Sequence, residues 1–168
     1  MRGTIEHAFV GTRRFDLRGR LGDGGGGVVY RAFDRQREQE VALKVMHRRD
    51  GEERFDIATL AELSHLAHPN LVRLHELVDD GDRQLLSMEL IEGIDLLSYV
   101  HASGRGFDEL RVRAVFGQLA QGLTALHVAR KVHRDVKPAN VRVTAQGRVV
   151  LLDLDLALDL DAERSERA

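Results

Sequence analysis

The sequence contains no cysteine and no tryptophan, only two prolines, and just 5% aromatic residues. Without cysteine there is no disulfide framework, no thiol nucleophile and no cysteine-based zinc site. Long apolar runs are missing too: none approaches the roughly 20 residues that span a bilayer. Met1 to Val10 carries an acid and a histidine where a secretion signal needs an apolar stretch. These absences predict a cytoplasmic chain without membrane contact. A basic excess is also lacking, with 25 Lys+Arg against 27 Asp+Glu and a net charge of −2, so no field points to nucleic acid. Lysine itself is scarce. Lys44, Lys131 and Lys137 are the three lysines among the 25 basic residues. Arginine serves solubility well, so each lysine hints at a place where a compact ammonium is wanted.

The 168 residues, 43% hydrophobic and 31% charged, suffice for one folded domain or two small lobes. Strand-like segments at Phe15–Leu21 and Val28–Phe33 flank Gly22-Asp23-Gly24-Gly25-Gly26-Gly27, a glycine-rich hairpin, and Glu40–Met46 supplies a third strand. Apolar spacing predicts a helix over Arg54–Ala67, ended by His68-Pro69-Asn70, because the residue before proline leaves the helical region. Leu71–Val78 and Gln84–Leu90 then complete a five-stranded antiparallel meander with one inserted helix. After Glu92-Gly93 the period changes. Helices are expected at Asp95–Ala102 and Asp108–Ala129, the second with a stripe of Leu110, Ala114, Leu119, Leu123 and Leu126, followed by a hairpin of Val141–Val143 and Val149–Leu152. A β-rich half followed by a helical half predicts an α+β fold of two lobes, dividing at 1–91 and 92–168.

Three groups of residues carry the chemistry. Gly22, Gly24 and Gly27 lie between two strands, whereas the dinucleotide fingerprint requires a helix directly after its glycines. That context favours a phosphate-covering flap, with Val29 placed to cover a base. Lys44, in Val41-Ala42-Leu43-Lys44, follows Gly27 by 17 residues on a strand, where its charge can reach phosphates. The richest group is His133-Arg134-Asp135-Val136-Lys137-Pro138-Ala139-Asn140, directly after an amphipathic helix. Taken singly these are an exposed acid, a solvated lysine and a turn asparagine; as a set they are improbable by chance.

With these motifs the sequence resembles the protein kinase family, of a bacterial-like serine/threonine type given Lys137-Pro138. The resemblance runs from Phe15 to about Leu158 and implies ATP and Mg²⁺ as cofactors, with a protein Ser/Thr hydroxyl as acceptor. It assigns Asp135 and Lys137 to catalysis, and Asn140 and Asp153 to the metal. Nucleotide contacts are implied at Gly22, Gly24, Gly27, Val29, Ala42 and Lys44, at Met88, Glu89 and Ile91 of the gatekeeper and hinge, and at Arg142. Pro69 falls in the family's His-Pro-Asn corner.

Several positions depart from the family pattern. The metal triplet reads Asp153-Leu154-Asp155, with leucine as the apolar packing piece and an aspartate in the glycine place. The helix glutamate that should pair with Lys44 falls on Thr59, or on Asp56 if three residues are inserted, while the nearby Glu62 faces another side of the helix. Arg142 stands where an aliphatic residue usually underlies adenine, leaving its methylene stem to cover the ring. The match stops shortly after Asp153, so a truncated helical lobe is expected. It would leave the Asp108–Ala129 helix partly uncovered and call for further domains or a partner to cover it. Two alternatives follow: a pseudokinase serving as a nucleotide-binding or protein-interaction module, and a small-molecule phosphotransferase of the aminoglycoside-kinase type. The eight histidines show no helical His-x-x-x-His arrangement with a carboxylate, which argues against a histidine metal site.

Overall fold

The computed structural model describes residues 9–24, 26–47, 57–101, 106–154 and 158–159. They divide into two compact units, residues 1–52 with 77–90, and residues 53–76 with 91–168.

The first unit is built on a sheet of β1 (Phe15–Gly24), β2 (Gly27–Asp34), β3 (Gln39–His47), β4 (Leu74–Asp80) and β5 (Arg83–Glu89). The strand order is β1-β2-β3-β5-β4. The expected meander is therefore corrected in one respect: β4 takes the edge and β5 returns beside β3. An inserted helix carries the chain away after β3, so the next strand need not be that strand's neighbour, and the tight β4–β5 turn at Gly81-Asp82 brings β5 back. Successive side chains alternate between faces. One face gathers Phe15, Ala32, Val41, Leu43, Val45 and Leu85 into a buried apolar cluster, edged by Phe9, Leu17, Tyr30 and Val78. At the far end of the β1–β2 ribbon, Arg14 clamps the fully buried Asp34 through Nε at 2.9 Å and Nη2 at 2.6 Å. The Asp34 Oδ1 also accepts the Gln36 and Arg37 N–H groups. Burial drives this carboxyl upward, but the Arg14 bonds and the two backbone donors outweigh it and hold it below its ordinary value.

The second unit contains α1 (Ile57–Ser64), β6 (Ile94–Asp95), α2 (Leu96–His101), α3 (Glu109–Val128), β7 (Lys131–Val132), β8 (Val141–Val143), β9 (Val149–Leu151) and β10 (Leu158–Asp159). Strands β6-β8-β9 form one small sheet and β10-β7 another. Helix α3 starts where Asp108 caps it, accepting the Leu110 and Arg111 N–H groups, with Glu109 in the first turn favouring the helix dipole. The Arg111 guanidinium reaches the Tyr99 carbonyl at 2.8 Å and so fastens α3 to α2. The buried stripe of α3 is Val115, Leu119, Gly122 and Leu126. Of the expected stripe, Leu119 and Leu126 are buried, while Leu110 is 79% exposed and Ala114 is exposed. The register is set by Gly122, where an added Cβ would sit 3.0 Å from the Asn70 carbonyl, so α3 turns this bare position inward. Phe116, Val128 and Leu110 stay exposed, as expected for a partly uncovered helix.

The corner after α1 is fixed by side-chain amides. The buried Asn70 donates through Nδ2 to Gln118 Oε1 at 2.9 Å and to the Val149 carbonyl at 2.7 Å. Gln118 Oε1 also accepts the Val149 N–H, and its Nε2 donates to the Gly147 carbonyl. Arg148 Nε closes the corner onto the Pro69 carbonyl. Three stretches far apart in sequence are thus tied by amides that leave few donors unmet.

Candidate functional site

In the first unit, the register places Val29 opposite Lys44, Lys44 opposite Leu86 and Ala42 opposite Met88. Paired residues share a face, so Val29, Ala42, Lys44, Leu86 and Met88 line the face opposite the apolar cluster. Lys44 is only 1% exposed there. Glu89, opposite Val41, ends β5 on the other face. The glycine hairpin extends this surface, with Gly22 opposite Val29 and Gly24 opposite Gly27. Gly27 packs so closely on β3 that a Cβ would collide with the Val45 carbonyl, so the flap's base requires glycine.

In the second unit, the segment after β7 folds into a dense polar cluster. The buried His133 donates through Nε2 to the Leu152 carbonyl at 2.8 Å, leaving Nδ1 to accept the Asp135 N–H at 3.3 Å. That one ring therefore ties the chain before Asp135 to the chain before Asp153. A second strap joins the same stretches, since the Leu152 N–H donates to the Asn140 carbonyl at 2.8 Å. Asp135 Oδ2 receives Lys137 Nζ at 2.6 Å and Asn140 Nδ2 at 3.0 Å. Asn140 Nδ2 also donates to the Asp135 carbonyl at 2.9 Å. With its amide nitrogen committed twice, Asn140 presents Oδ1 as a neutral oxygen donor. The Lys137 hydrogen bond, aided by Asn140 and opposed by partial burial, holds the Asp135 carboxyl below the usual carboxylate range. Asp135 is an ionised acceptor at neutral pH.

Arg134 and Asp153 take left-handed backbone conformations, at φ of 64° each. Such strain in non-glycine residues persists only where surrounding bonds over-determine the chain, and it collects at functional sites. Here the His133 and Asn140 bonds supply that constraint. Leu154, next to Asp153, is buried. Arg142 is half-buried in β8, opposite Asp95 of β6, whose carboxyl is lowered by Ser98 hydrogen bonds and by the Arg142 charge. Ile91, also half-buried, precedes β6. Asp56 and Asp155 lie outside the described residues, as does the side chain of Thr59.

The donor set suits a magnesium nucleotide. Mg²⁺ takes hard oxygen ligands and keeps most of its shell for water and phosphate, so one carboxylate and one amide oxygen suffice. In the second unit, the Asp153 carboxylate and the Asn140 amide oxygen are groups of that kind and could hold the ion. Among the described residues no cluster of three or more His, Asp or Glu side chains could hold a metal by itself.

The motifs missed three contributors. His133, to which the motif assigns nothing, takes its role from two hydrogen bonds to the backbone. Gln118 was legible as a polar residue beside the buried α3 stripe. Glu62, on α1, pairs with Lys131 Nζ at 2.5 Å, a contact that no local pattern announces.

The sequence matches the protein kinase domain family over residues 15–167. It is similar to the cell division control protein 2 homolog 3 of Trypanosoma brucei brucei, 36% identical over 156 residues, which cover 91% of this chain and 49% of that protein. Serine/threonine-protein kinase 1 of Arabidopsis thaliana is 30% identical over 158 residues, covering 93% of this chain and 19% of its own length. Cyclin-dependent kinase 10 of Rattus norvegicus is 34% identical over 151 residues, covering 86% and 42% respectively. The chain spans at most about half the length of these curated relatives. With this match and the geometry of the Asp135 loop, the chain belongs to the protein kinase family.

Proposed function

We propose that this chain binds Mg-ATP and transfers its γ-phosphoryl group to a serine or threonine hydroxyl of a protein. The observation that carries the reading is the Asp135, Lys137 and Asn140 cluster, an ionised carboxylate held by an ammonium and an amide. Residues 1–91 handle the nucleotide. Gly22, Gly24 and Gly27 bring backbone N–H groups to the phosphates, Lys44 places its charge on them, and Val29, Ala42 and Met88 supply apolar contact to the base. Backbone groups of Glu89 and Ile91 read the base edge, and the Arg142 stem covers its other side. Residues 92–168 handle transfer. Asp135 accepts the hydrogen bond of the acceptor hydroxyl and orients its oxygen for in-line attack, while Lys137 steadies the charge on the transferred group. Asn140 Oδ1 and Asp153 would hold Mg²⁺, which when bound would offset the charge of the phosphates. Further domains of a longer protein, or a partner, cover the exposed side of α3.

A thermal-shift titration with ATP tests the nucleotide half. At a hundredfold excess over Kd, binding stabilises by about 2.7 kcal/mol, or roughly 5–11 °C in a domain of this size. The shift should require Mg²⁺ and be lost in Lys44→Met and Asp153→Ala. The transfer half is tested by labelling a Ser/Thr peptide library from γ-labelled ATP. Binding without transfer above the Lys44→Met background would make the chain a nucleotide-binding module instead.

A further inference from the structure

The run from Gly22 to Gly27 carries one side chain, that of Asp23, and it is an acid. The nucleotide reading sets this hairpin over phosphates, where a carboxylate repels the ligand. The placement of Asp23 is therefore decisive. Two residues three apart on a regular strand point to opposite faces. Arg20 and Asp23 do not, because the β1–β2 register slips between Arg20 and Gly22. Arg20 pairs with Tyr30, Gly22 with Val29 and Asp23 with Val28, which leaves Leu21 as the extra residue. A bulge of this kind re-aims side chains. Val29 shares the face of Lys44, whereas Tyr30 packs against the apolar cluster on the other face. The register thus puts Arg20 and Asp23 together on the side away from Lys44, and there the Arg20 guanidinium donates to Asp23 Oδ1.

The two side chains are 56% and 64% exposed, so their pairing adds little to the stability of the fold. Its consequence lies with the ligand. We propose that Arg20 is a positioning residue for the nucleotide, which holds the Asp23 carboxylate on the outer face of the glycine hairpin and offsets its charge. The phosphates then meet backbone N–H groups without an unbalanced acid beside them. The bulge at Leu21 turns the carboxylate outward, and the guanidinium keeps it there. Without Arg20 the acid rotates about its own side-chain bonds, and its charge stands unopposed in the segment that covers the phosphates.

The proposal rests on the nucleotide reading for its effect on affinity, while the clamp itself stands on the hairpin alone, so the test has two arms. In the binding arm, Mg-ATP and adenosine are titrated calorimetrically into wild type, Arg20→Gln, Asp23→Asn and the double variant. Arg20→Gln should weaken Mg-ATP about 3- to 10-fold and leave adenosine, which has no phosphate, within about twofold. Adding Asp23→Asn should return the affinity of Arg20→Gln for Mg-ATP to within about twofold of wild type, because the repelling charge is gone. The loss in Arg20→Gln should also shrink at about 0.5 M salt. A double variant as weak as Arg20→Gln would overturn the proposal, since Arg20 would then act on the nucleotide directly, and so would an equal loss of adenosine. In the exchange arm, the amides of residues 22–24 should exchange faster in Arg20→Gln than in wild type, and unchanged exchange would overturn the clamp. Wild type binding neither ligand would refute the nucleotide reading, and the exchange arm would still decide whether Arg20 fixes Asp23.

Discussion

Gln118 is the side chain on which the corner between Asn70 and the β8–β9 hairpin depends, and its replacement by leucine isolates that role. The variant keeps the volume and helix propensity of the residue and removes three hydrogen bonds: from Asn70 Nδ2, from the Val149 N–H and to the Gly147 carbonyl. Asn70 retains its bond to the Val149 carbonyl at 2.7 Å. The Val149 N–H belongs to a fully buried residue and finds no water, which costs about 1–3 kcal/mol. The Gly147 carbonyl, in a half-buried turn, re-solvates and adds up to about 1 kcal/mol. A total of about 1–4 kcal/mol corresponds to roughly 2–16 °C in Tm for a chain of this size. Urea unfolding should show a lower midpoint at unchanged slope. Gln121→Leu, exposed on the same helix, is the control and should stay within about 0.5 kcal/mol. If Gln118→Leu matched that control, the corner would be held by apolar packing alone and the amide network would be incidental.

Three further outcomes follow from particular contacts. The folded-state Asp34 carboxyl is lowered, so its contribution to stability is full above the unfolded value near 3.9 and is lost as pH falls through the lowered folded value. Asp34→Ala should therefore cost about 3–5 kcal/mol at neutral pH, with the difference from wild type shrinking in unfolding curves taken below about pH 4. Gly27→Ala must push β2 off the Val45 carbonyl, destabilising by about 1–3 kcal/mol and weakening ATP in an equilibrium titration; unchanged affinity would remove the flap from the binding account. Lys137→Met removes the main cause that lowers Asp135, so the acid limb of kcat/KM should move to higher pH, and an unmoved limb would mean that another group sets it.

The sequence exposed its chemistry better than its packing. Asp135, Lys137 and Asn140 are close in the chain, so a local motif was enough to bring them together, and the structure joins all three within hydrogen-bond distance. The strands β1 to β3 were legible because glycine and polar turns punctuate alternating apolar residues. Two-residue strands such as β6, β7 and β10 have no periodicity to read, and they exist only because distant partners pair with them. The sheet order and the α3 register were set by contacts absent from any local pattern: the return of β5 beside β3, and the approach of Gly122 to Asn70. The Glu62–Lys131 pair is invisible for the same reason, since the two residues lie far apart in the chain and no local pattern links them.

The central claim is that Asp135 orients an acceptor hydroxyl for phosphoryl transfer. Comparing wild type with Asp135→Asn, by label transfer from γ-labelled ATP and by ATP binding on the same samples, tests it most directly. Transfer should fall by about 10²- to 10⁴-fold with ATP affinity within about threefold, because that carboxylate makes no proposed contact with the nucleotide. Undiminished transfer by Asp135→Asn would contradict it.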